Sequence, residues 1–85
     1  MMDGADWLDD IAQRVAEQIS EVEISRSYAD TLALSRGLRS VVIHLDRKQA
    51  WLRHRSPHRV QYLEIKRYVV DETTVAVVTI LSHLH

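Results

Sequence analysis

Four arginines, Arg53, Arg55, Arg59 and Arg67, fall within a span of fifteen residues, with Trp51, His54, His58 and Tyr62 in or beside it. A guanidinium grips phosphate oxygens with a planar fork, and an imidazole exchanges a proton near neutral pH. Metal-free phosphodiester chemistry asks for both, because cations must hold the phosphate and steady its developing charge while a second group moves a proton. Arg53, Arg55, Arg59 and Arg67 fit the first role; His54, His58 or His83 fit the second, with Tyr68 as an auxiliary. The same residues bind nucleic acid without cutting it if Trp51 or Tyr62 stacks on bases. The candidate binding set is therefore Trp51, Arg53, His54, Arg55, Arg59, Arg67 and His83, with no catalytic residue singled out. Against this stands a plainer reading, in which the cations are solvated or paired with acids of the same chain and Trp51 anchors the core.

Other chemistries find less support. A zinc site needs three or four converging ligands. Cysteine is absent; His54 and His58 are separated by Ser56-Pro57, and His83 and His85 lie in the last three residues. The two glycines, Gly4 and Gly37, are too far apart for a phosphate-cradling loop. Asp9-Asp10 and Asp71-Glu72 sit at an expected helix start and turn, away from any apolar pocket that glycosidase-type catalysis requires. Neither metal nor cofactor is expected, and an enzyme, if this is one, would be a metal-independent ribonuclease-like protein.

Charge is segregated along the chain. Residues 1–30 hold eight acids against Arg14 and Arg26, a net of −6, whereas residues 31–67 hold nine Arg and Lys against Asp46 and Glu64, a net of +7. Such separation favours a polyanion at the basic segment, or pairing of that segment with the acidic one. Eighty-five residues make one domain, 1–85. A chain this small buries only roughly 60–65 % of its unfolded surface, and without a disulfide self-association is an inexpensive source of further burial. A homodimer is expected. The lack of cysteine, of an apolar run near 20 residues and of a leader-like first segment points to a cytoplasmic protein with no membrane partner.

The elements that must place these side chains are read from periodicity. Leu8, Ile11, Val15, Ile19 and Val22 recur at three and four, which predicts a helix from about Asp6 to Glu21. Glu21 to Ser27, where Val22 and Ile24 alternate with polar residues, fits a short strand or a loose helix end. Ser27 or Asp30 can cap a second helix beginning near Tyr28, with Gly37 as its C-terminal punctuation. Two patterns then compete. Leu34, Leu38, Val41, Leu45 and Leu52 make a helical stripe; alternatively Val41, Ile43 and Leu45 share one face of a strand, and Ala50, Leu52 and His54 return after a turn. Val60 to Val70 reads as a strand, Asp71-Glu72-Thr73 as a hairpin turn, and Thr74–Leu81 as the strongest strand of the chain, apolar on both faces. The expected fold is α+β: one or two N-terminal helices on a small antiparallel sheet of three to four strands, with the last strand, about 74–82, central.

In its order of signals the chain resembles the RelE/ParE superfamily of small bacterial toxins. The counterparts are Leu8-Asp9-Asp10-Ile11 on an early helix, Leu52 followed by Pro57-His58-Arg59, then Tyr68-Val69-Val70 and the apolar segment Val75 to Leu81 with His83. The opening strand of that family has no counterpart here, nor does its glycine beside the Arg59-like position. The resemblance implies the long second helix, an mRNA or gyrase target, a neutralising protein partner, and Arg53, Arg55, Arg59 and His83 as functional residues. Function is thus expected to be a basic patch that binds a polyanion or macromolecular target, toxin-like or not. The alternative is a non-catalytic protein–protein interaction module, such as a phage-encoded inhibitor, acting as a homo-oligomer.

Overall fold

The computed structural model describes residues 4–46, 50–56, 59–65 and 69–82. The chain runs α1 (Gly4–Gln18), β1 (Glu23–Tyr28), β2 (Thr31–Arg36), β3 (Arg39–Leu45), β4 (Ala50–Ser56), β5 (Arg59–Ile65) and α2 (Val70–Ser82). The strands form one antiparallel sheet whose spatial order is the chain order, β1-β2-β3-β4-β5. The α+β class expected from sequence is found, with five strands rather than three or four.

Helix α1 forms where the spacing of Leu8, Ile11 and Val15 predicts, and all three are buried. Trp7, outside the expected stripe, is fully buried beside them. Asp6 lies in the first turn, where a carboxylate meets the positive end of the helix dipole. Ile19 and Val22, past the helix end, are only partly buried against the core. Between helix and sheet Glu21 takes a left-handed backbone, φ 62°, which turns the chain into β1.

Residues 31–56 alternate rather than follow a helical stripe. Leu32 and Leu34, then Val41, Ile43 and Leu45, then Ala50 and Leu52 are buried, with their sequence neighbours on the other face. The strand-and-hairpin reading therefore holds. The second helix expected from Tyr28, and the long helix implied by the toxin resemblance, are corrected to strands. Gly37 does not end a helix; with φ +61° it takes the first place of the two-residue turn between Arg36 and Arg39, which a type II′ hairpin reserves for glycine.

The second correction concerns residues 74–82, expected as a central strand and found within α2. Thr73, Thr74, Val77 and Leu81 are buried at spacings of three and four, and Asp71 and Glu72 form a helix first turn rather than a hairpin turn. β-Branched residues weaken a helix by only a few tenths of a kcal/mol each, so packing decides. With five strands already paired, a helix satisfies its own backbone while laying an apolar side on the sheet.

Both helices cover the same face of the sheet, α1 over β2 and α2 over β3, and they touch each other. Arg36 fastens the assembly at one end. Its Nε donates to Ser20 O and its Nη1 to Leu81 O, each at 3.1 Å, so one side chain of β2 closes the ends of both helices. At the other end Arg14 meets Asp10 and Asp71, both at 3.0 Å, and these neighbours, Asp10 first, raise the guanidinium pKa. No helix among the described residues is long and apolar enough to cross a membrane.

Candidate functional site

Strand register assigns every side chain of β2–β5 to a face. On the helix side, one row reads Leu32, Ile43, Leu52, Leu63 and the next Leu34, Val41, His54, Gln61. On the opposite side the rows are Thr31, His44, Trp51, Glu64; then Ala33, Val42, Arg53, Tyr62; then Ser35, Ser40, Arg55, Val60. Among the described residues no helix covers this second face. It has small side chains over β2 and large aromatic and cationic ones over β4 and β5.

Val42, His44, Trp51, Arg53 and Tyr62 enclose a shallow concavity of about 430 Å³ at its centre. Trp51 is 37 % and Tyr62 67 % exposed, so neither ring is spent on the core. Tyr62 lies directly across from Arg53, and Trp51 directly across from His44, at the separations where cross-strand side chains touch. Thr31 gives its hydroxyl proton to Asp30 Oδ1 at 3.1 Å and lies 3.2 Å from His44 Nδ1.

On the open face Arg53 and Arg55 of β4 stand against Glu64 of β5 and, in the Ser35 row, Glu23 of β1, whereas Arg39 and Arg59 have helix-side parity. Around β4 this favours an anion. The acids of α1 are engaged elsewhere: Asp9 pairs with Arg26 on β1, and Asp10 with Arg14. Among the described residues no carboxylate pairs with Arg53 or Arg55. The sheet separates them from the acidic helix, so pairing within the chain does not account for them.

Of the seven residues singled out by sequence, Trp51, Arg53 and Arg55 share the open face. His54 does not. It points to the helix side, partly buried, where its Nε2–H donates to Gln61 Oε1 at 2.5 Å. Its Nδ1 is buried without a hydrogen-bond partner among the described residues. Arg59, exposed at the start of β5, has the same parity as His54. Arg67 and His83 lie outside the described residues, as do His58 and Tyr68. An active centre joining His54 to Arg53 and Arg55 would have to reach through the sheet, so these groups cannot act on one phosphate. Among the described residues no three His, Asp or Glu side chains converge as metal ligands.

His44 was not singled out, and Tyr62 only as a stacking alternative. Alternation could have found both: once Val41, Ile43 and Leu45 face inward, Val42 and His44 must face outward. The chain matches no protein-family model, no curated protein and no solved structure.

Proposed function

We propose that the open face of β3–β5 binds single-stranded nucleic acid without cleaving it. The observation that carries this reading is the set of two exposed rings, Trp51 and Tyr62, interleaved with Arg53 and His44 on a sheet surface that no helix covers. Bases present π faces whatever their sequence, and aromatic platforms beside cations hold them. Arg53 takes the backbone phosphate beside the stacked bases. His54, on the far side of the sheet, cannot serve Arg53 on this face as a proton-transfer partner.

Trp7 is sealed in the core while Trp51 is exposed, so quenching of fluorescence in a titration with oligothymidylate reports on the platform. Binding should quench the exposed indole and weaken steeply as salt rises, because phosphate contacts release counterions. Absence of quenching, or affinity indifferent to salt, would overturn the proposal. Toxin-like action on mRNA or gyrase is a narrower form of it. Growth arrest on expression that survives alanine at Arg53, Arg55 and Arg59 would count against that form.

A homodimer is the second reading, favoured by edge strand β5. Leu63 on its helix-side face is 46 % exposed, and Val60 on the open face 47 %. An unpaired edge with apolar side chains is a template for antiparallel addition of a second copy. Such a dimer would place two platforms side by side in the cytoplasm, where nucleic acid is available. A monomeric mass by light scattering at both low and high salt removes it.

A further inference from the structure

Four side chains of the open face form a square. Trp51 stands directly across from Glu64, and at the next position on the same face Arg53 stands directly across from Tyr62. The two rings therefore occupy one diagonal, and the carboxylate and guanidinium the other. All four residues are exposed, and Trp51, Arg53 and Tyr62 line the central concavity. Among the described residues neither an ion pair nor a hydrogen bond engages Glu64, so its carboxylate and the Arg53 guanidinium do not close on each other.

We infer that this square selects guanine: the base stacks between Trp51 and Tyr62, donates N1–H and N2–H to the Glu64 carboxylate and turns O6 towards Arg53. The inference rests on the proposed function for the strand and adds the base that the platform prefers. Diagonal neighbours on one sheet face lie about 7–8 Å apart, and a planar ring in contact on both sides needs about 3.5 Å on each. Stacking alone does not choose among bases. Their hydrogen-bonding edges do, and a single strand leaves those edges open. A carboxylate only accepts, and its two oxygens span two neighbouring donors. Guanine carries such a pair, N1–H and the N2 amino group, with the acceptor O6 next to them. Adenine and cytosine each set a ring-nitrogen acceptor beside a single amino group, and thymine sets one N–H between two carbonyls. Each of these turns a lone pair towards Glu64. A guanidinium only donates, and its five N–H groups let Arg53 meet O6 as well as the phosphate. Donors then acceptor along the edge of guanine thus match carboxylate then guanidinium along the diagonal.

The test titrates the full chain with thymidylate strands of equal length, one uniform and the others carrying guanine, adenine or hypoxanthine at the centre. Quenching of Trp51 should show the guanine strand bound at least about five-fold more tightly than the uniform and adenine strands, the lower end of what one bidentate base contact supplies. Hypoxanthine, which is guanine without its amino group, should fall between. Glu64→Gln should bring the guanine strand down to the level of the uniform one, whose own affinity should not drop. Guanine and adenine strands that bind alike, or a guanine preference that survives in E64Q, overturn the inference and leave the platform standing. Should no strand quench Trp51, free GMP and AMP decide. Tighter binding of GMP would keep the base site and sink the single-strand reading, whereas equal or absent binding overturns both.

Discussion

Arg53 of β4 stands directly opposite Tyr62 of β5, on the face of the sheet that no helix covers. A guanidinium beside a phenol ring in this register can stack on it and still present N–H groups outward. The pair is the centre of the proposed platform, and it makes substitutions on its two strands non-equivalent. Tyr62→Ala and Trp51→Ala should each weaken oligonucleotide binding by about 1–3 kcal/mol, roughly 5- to 150-fold in Kd, while Trp51→Phe retains most of it. Anisotropy titrations measure this. Both rings are exposed, so thermal unfolding should change little, and a variant that binds normally defeats the stacking role.

His54 gives the complementary case. Its imidazole is on the helix side, bonded to Gln61, and touches nothing on the platform. Replacing it by Leu should leave nucleic-acid affinity within twofold of the parent. Stability should stay level or rise, because a buried nitrogen without a partner is removed, which is worth about 1 kcal/mol. Loss of binding with an unchanged unfolding midpoint would place His54 in the site after all.

Two left-handed residues should respond in opposite senses. Gly37, φ +61°, has open space where a Cβ would stand, so Gly37→Ala carries the backbone penalty alone, about 1–2 kcal/mol of destabilisation. Glu21, φ 62°, already bears that penalty. Glu21→Gly should gain up to about 1 kcal/mol after the added flexibility of the unfolded chain is subtracted. Urea unfolding of the two variants settles the signs, and a stabilised G37A would contradict the turn assignment.

Arg36 is the fastening whose removal should cost most among the polar residues. Two backbone carbonyls, Ser20 O and Leu81 O, accept from it at helix ends that have no later turn to serve them. Arg36→Ala should destabilise by about 1.5–3 kcal/mol, and Arg36→Lys should recover only part, since an ammonium lacks the fork that spans two acceptors. Faster amide exchange in both helix ends, and not in β5, is the accompanying signature.

Much of the architecture was legible because local patterns agreed with the final packing. The Leu8, Ile11, Val15 spacing gave α1, and the Val41, Ile43, Leu45 alternation gave β3 and with it the faces of β4. Residues 74–82 read as a strand because Val75, Val77, Val78 and Ile80 carry β-branched propensity, while their burial is decided by a sheet assembled from distant residues. Thr73, Thr74, Val77 and Leu81 held the helical spacing, masked by apolar residues between them. For the site, sequence marked the right stretch but could not split it. Trp51, Arg53 and Arg55 belong to one surface and His54 to the other, a division that appears only once the hairpin is chosen over the helix.

Strand order that follows chain order has a kinetic corollary. Each β pairing closes a short loop, so the sheet can zip from one hairpin to the next at little entropic cost. The exceptions are the helix contacts, α1 with β2, α2 with β3 and α1 with α2, the last bringing residues 4–18 against residues 70–82. Docking of the two helices should thus be the late, rate-limiting event, and a nascent chain lacking its last thirteen helical residues would hold a formed meander with its greasy side bare.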